Sequence, residues 1–137
     1  MMNGETWKTK LIEGNGSPLQ SGAPSVELAS EHWDAYFQAI ADESPGALVS
    51  VEVARGSAAR ARTQAPRPLR AIGYRRNEDV VRVDAGGALE EGVVRFFISG
   101  PRNIRVADSG AGAEILVRDV AGTFTLIRLF NGNEASR

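Results

Sequence analysis

The 137-residue sequence contains no cysteine. That excludes disulfides, thiolate metal sites and thiol nucleophiles. Histidine occurs once, as His32, so a histidine-based metal centre lacks its further ligands and a Ser-His-Asp triad would rest on that single residue. No apolar run approaches the ~20 residues of a bilayer-spanning helix. The opening residues, Met-Met-Asn-Gly-Glu-Thr-Trp-Lys-Thr-Lys, lack the apolar core of a secretory signal, which sets the expectation of a cytoplasmic protein with no membrane partner. A charge excess is missing too. Sixteen Lys and Arg against 17 Asp and Glu give a formal net charge of −1, and this weighs against nucleic acid, whose binders are usually basic. There is no Gly-Lys-Ser/Thr phosphate loop. Gly110-Ala111-Gly112 lacks the third glycine of a dinucleotide fingerprint and falls between two strand patterns, where a hairpin loop is expected.

What is present begins at Ser30. Trp33, Tyr36, Phe37 and Ile40 recur at i, i+3, i+4 and i+7, the spacing that puts four side chains on one helix face. Ser30 suits the N-cap, and Ser44-Pro45-Gly46 stops the helix. The period then changes to two, with Val49, Val51 and Val53 on one face. Arg55 to Pro68 is rich in Ala, Arg, Gly and Pro and is expected to form a long loop. Strand patterns follow at 69–74, 80–83, 93–98, 103–106, 114–118 and 123–129, separated by turn residues. Parallel pairing would need helical crossovers, and no second helical stretch exists to supply them. The expected fold is therefore α+β and mostly β: one N-terminal helix packed on a curved antiparallel meander, or small open barrel, of about seven strands. Residues 26–130 form the domain, with a flexible tail over 1–25 and a short one over 131–137; within the first, Thr6 to Glu13 is a competing edge-strand candidate.

These features resemble a family of small bacterial proteins of unknown function. The likeness is carried by Trp33 with Tyr36 and Phe37, Val49 to Val53, Pro68-Leu69, the proline corner from Pro101 to Val106, and the Asp-x-x-Gly hairpin from Asp119 to Leu129. It spans about Val26 to Phe130. The resemblance implies the helix-plus-meander fold and a bacterial source, and it assigns no catalytic residue, metal, cofactor or ligand.

Chemistry has few places to reside. The carboxylate pairs Asp42-Glu43, Glu78-Asp79 and Glu90-Glu91 all fall in expected turns, where water keeps their environments alike and no acid–base division of labour arises. His32 is expected to be a solvent-facing helix residue. With no nucleophile–base pair or metal constellation, no catalytic, cofactor or metal residues are named and the protein is expected not to be an enzyme. Adjacent apolar pairs, Phe96-Phe97 and Leu126-Ile127, put bulk on both sheet faces, so a non-catalytic binding or protein-interaction domain that self-associates is the leading expectation. The alternative is polyanion or single-stranded nucleic-acid binding through segment 55–76. There Arg55, Arg60, Arg62, Arg67, Arg70, Arg75 and Arg76 occur with no acidic residue between Arg55 and Asn77. Tyr74, and whichever of Phe96 and Phe97 points outward, would add a stacking surface.

Overall fold

A computed structural model describes residues 25–44, 46–55, 66–86, 92–109 and 112–130. The tail expected over 1–25 lies outside them except for Ser25, as do the edge-strand candidate Thr6 to Glu13, the middle of the Arg55–Pro68 loop and residues 131–137.

In chain order the elements are β1 (Val26–Leu28), a 3-10 turn (Ser30–His32), α1 (Trp33–Glu43), β2 (Leu48–Arg55), β3 (Arg67–Arg75), β4 (Val80–Ala85), β5 (Val94–Ser99), β6 (Pro101–Ser109), β7 (Gly112–Asp119) and β8 (Thr123–Phe130). All pairings are antiparallel, in one sheet of order β1-β6-β7-β8-β2-β3-β4-β5. The helix followed by an antiparallel meander is as the sequence leads one to expect. The eighth strand is β1, too short at three residues to show a period. The sheet does not close into a barrel: β1 and β5 are its two edges, and they do not pair with each other. Curvature enters where β2 and β3 pair over only Leu48↔Pro68 and Val49↔Arg67 and then part. It enters again at Gly100, whose positive φ of 66° allows a one-residue corner between β5 and β6.

The helix begins with no side-chain cap; Ser30 stands in the 3-10 turn ahead of it and its hydroxyl does not cap α1. Asp42 and Glu43, expected in a turn, form the last turn of the helix instead. The apolar stripe is as the spacing indicates, with Trp33 and Phe37 buried and Tyr36 and Ile40 half-buried against the same core. That core takes Val49 and Val51 from β2, Ile72 from β3, Val81 and Val83 from β4, Ile98 from β5 and Ile115, Val117, Ile127 and Leu129 from the far strands. The helix is clamped to the β3–β4 hairpin. Trp33 meets Tyr74 edge-on at 5.2 Å between ring centroids. Arg76 lies over the Tyr74 ring and donates to Asp34 at 3.3 Å and to the Ser30 carbonyl at 2.9 Å. On the opposite face of the sheet Leu116 and Leu126 form a second, smaller buried cluster. Among the described residues no helix is long and apolar enough to cross a membrane.

The Tyr36 hydroxyl is buried and has no hydrogen-bond partner among the described residues. Burial, with the nearby Asp108 charge second, pushes its phenol from 10.0 up to about 12. The folded chain thus keeps this proton where the unfolded chain has lost it. The contribution is full below pH 10 and drains away as pH rises toward 12. Tyr36→Phe should remove this alkaline loss, and by deleting an unsatisfied buried hydroxyl it should match or exceed wild-type stability at pH 7 by up to ~1 kcal/mol. Urea melts at pH 7, 10 and 11.5 check it; a variant that loses stability as steeply as wild type above pH 10 would show that another group dominates.

Candidate functional site

The side of β3, β4 and β5 turned away from the core is the most chemically furnished open surface of the described fold. Its composition follows from strand alternation. Ile72, Tyr74, Val81, Val83, Phe96 and Ile98 point inward, so their neighbours Ala71, Gly73, Arg75, Arg82, Asp84, Arg95 and Phe97 point outward. The register arranges them in rows: Arg75 beside Val80 and Ser99, Gly73 beside Arg82 and Phe97, Ala71 beside Asp84 and Arg95.

Two guanidinium groups here meet one carboxylate. Arg82 grips Asp84 with two hydrogen bonds of 3.0 and 2.6 Å, and Arg95 approaches the same carboxylate at 3.6 Å. The Arg82 hydrogen bonds hold the Asp84 carboxyl below its ordinary range; burial opposes this, and the charges of Arg82 and Arg95 reinforce it. Asp84 therefore stays ionised and fixes the Arg82 fork in place. A third arginine, Arg75, is exposed and pairs with no carboxylate among the described residues. Phe97 is 60% exposed, which is unusual for a phenyl in a six-residue strand. Beside this group lies an open depression of about 280 Å³ lined by Ala71, Ile72, Gly73, Tyr74, Arg75 and Arg82. Nothing stands within 4 Å of where a Cβ on Gly73 would be, so the floor there is bare backbone.

The described arginines of segment 55–76 do not converge on one face. Arg60 and Arg62 lie outside the described residues, as does the Arg55 side chain. Arg67 donates to the Gly92 carbonyl at 3.2 Å, and Arg76 is spent on the helix clamp. Arg70 is exposed on β3, and only Arg75 joins the face just described. Tyr74 turns inward and its hydroxyl donates to Asp79 at 2.7 Å, leaving Phe97 as the outward aromatic. The charges that a reading of the loop misses, Arg82 and Arg95, are visible in the sequence as the polar beats of two alternating strands. Elsewhere His32 is exposed beside Glu31 at 4.0 Å, Glu78 and Asp79 are exposed in the β3–β4 turn, and Glu90 and Glu91 lie outside the described residues. Among the described residues no group of three or more His, Cys, Asp or Glu is placed to hold a metal.

Compared with known proteins, residues 25–136 match the model of a family of unknown function, DUF5335. The chain belongs to the DUF5335 family. No curated protein matches it, and no solved structure does. The match covers both the strands that build the outward face and the helix clamped behind them, so this DUF5335 chain carries its candidate face within the family's own region.

Proposed function

We propose that the chain is a non-catalytic binding domain of a bacterial cytoplasmic protein, and that the outward face of β3–β5 takes a single strand of nucleic acid. One observation carries this: an exposed phenyl, Phe97, stands in one row with Arg82 and the bare backbone of Gly73, with Arg95 in the next row on one side and Arg75 in the next row on the other. An unpaired base stacks on a phenyl whatever its sequence, and guanidinium groups on either side hold the phosphates that follow it. A duplex hides its base faces and would leave Phe97 unused. The net charge of −1 is not an obstacle at this scale, because local charge governs contacts within a Debye length of ~8 Å at physiological salt. The groups on the face are suited to holding rather than reacting, and its one carboxylate is occupied by Arg82.

The test is fluorescence anisotropy with a labelled single-stranded oligonucleotide at several salt concentrations. Phe97→Ala should weaken binding by about five- to 160-fold, from the ~1–3 kcal/mol of one base stacked on an aromatic ring. Arg75→Gln with Arg95→Gln should lower the salt slope by roughly 1.4, at ~0.7 for each single-strand phosphate that is no longer neutralised. Binding unchanged in both variants, or absent from the wild type at 50 mM salt, would end this proposal.

A further inference from the structure

The strand that carries Phe97 is also an open edge. β5 pairs with β4 from Val80↔Ser99 to Ala85↔Val94 without a break, and no described strand pairs with its other side. Six residues, Val-Arg-Phe-Phe-Ile-Ser, offer there a row of backbone groups. Proteins usually blunt such an edge with proline, a bulge, inward charge or extreme shortness. The opposite edge, β1, is blunted by its three-residue length and by Glu27. β5 has no proline, no bulge and one charge, Arg95.

We infer that β5 pairs with the β5 of a second copy of this chain, antiparallel and centred on Phe97. The sequence of the edge is complementary to itself in that register. Phe97 lies opposite the partner's Phe97, which sets two exposed rings side by side and buries the flank that each turns to the other. Arg95 lies opposite the partner's Ser99, so no like charges meet. Centring on Arg95 would oppose two guanidinium groups, and a register one residue off would set outward side chains against inward ones. The Phe97-centred pair works whichever residues of β5 turn their backbone groups outward, because Phe97 then occupies either a hydrogen-bonded or a non-hydrogen-bonded pair. A two-fold axis through Phe97 is also the closed arrangement that stops at two copies. The pairing uses the backbone edge of β5 and has Phe97, the stacking residue of the proposed nucleic-acid face, at its centre, so it joins two such faces at Phe97 in one sheet.

The absence of cysteine makes this directly testable in the full chain. Sedimentation velocity of the wild type from about 1 to 100 µM should show a dimer, a range chosen to bracket the micromolar affinities of ordinary transient pairs. Under a glutathione redox buffer, Phe97→Cys should give a disulfide-linked dimer, since opposed Cα atoms in an antiparallel pair are ~4.5–5.5 Å apart. Ser99→Cys should not, because its symmetry mate lies roughly 13 Å along the pair at ~3.4 Å per residue. A wild type that stays monomeric throughout overturns the inference. So does a dimer in which Ser99→Cys cross-links and Phe97→Cys does not. Loss of oligonucleotide binding with the dimer intact would count only against the nucleic-acid face.

Discussion

Replacing Trp33 with alanine is expected to lower the free energy of unfolding by about 3–5 kcal/mol, the usual cost of emptying a large aromatic site. Trp33 is 5% exposed and stands where helix, sheet and β1 meet. Its ring abuts Tyr74 on β3, and its indole N–H donates to the Leu28 carbonyl at 3.2 Å. The variant therefore loses packing, an edge-to-face aromatic pair and the tie that holds the end of β1 near the helix. In urea melts the midpoint should fall with the slope unchanged, since the folded state stays cooperative. A decrease below ~1 kcal/mol would mean that the helix is not docked through this side chain.

The second large effect is expected on the other face of the sheet. Arg128 of β8 reaches Glu114 on β7 at 3.1 Å and Glu52 on β2 at 3.3 Å. The two carboxylates are 8% and 16% exposed and share their face with Leu116 and Leu126. Arg128→Leu removes the guanidinium that stands between two like charges in a poorly hydrated setting, and losing one member of such a cluster costs up to about 3–5 kcal/mol. Arg128→Lys should recover only part of this, because a single ammonium cannot fork to both carboxylates. Adding Glu52→Gln and Glu114→Gln to Arg128→Leu should restore much of the stability, as the repulsion between the two carboxylates is then gone. If Arg128→Leu alone costs less than ~1 kcal/mol, the cluster behaves as a screened surface pair.

The helix and seven of the eight strands are legible in the sequence because each carries its own period. Trp33, Tyr36, Phe37 and Ile40 mark the helix by spacing, and the valines of β2 and β4 mark strands by alternation. Turn chemistry is equally local. Asp119 accepts from the Ala121 and Thr123 amides at 3.0 and 2.9 Å, and Gly122 takes the positive φ of 87° that closes the hairpin. Two features are not local. β1 is recognisable only through its pairing with β6, residue 26 against 106. Whether the sheet closes depends on whether its edges β1 and β5 pair with each other, which no periodicity reports.

The candidate face is half visible in the sequence. Phe97 is one of the two aromatics expected to offer stacking, and Arg75 belongs to the arginine run. Their company, Arg82 and Arg95, comes from strands whose alternation announces itself through apolar beats. Charge clustering along the chain points to segment 55–76, whereas clustering across strands is a matter of register. Leu126, expected to offer apolar surface for association, is fully buried, while Phe97 on the open edge is not. That difference is why self-association is proposed at the edge of β5 and not on the broad outer face.

The most direct measurement is a ¹H–¹⁵N correlation titration of the full chain with an unlabelled single-stranded oligonucleotide. Shifts in the amides of Ala71 to Arg75, Val80 to Asp84 and Arg95 to Ser99, with the Arg128 cluster on β2, β7 and β8 unmoved, are the predicted result. Shifts confined to other strands, or none at saturating oligonucleotide, would contradict a nucleic-acid site on the β3–β5 face.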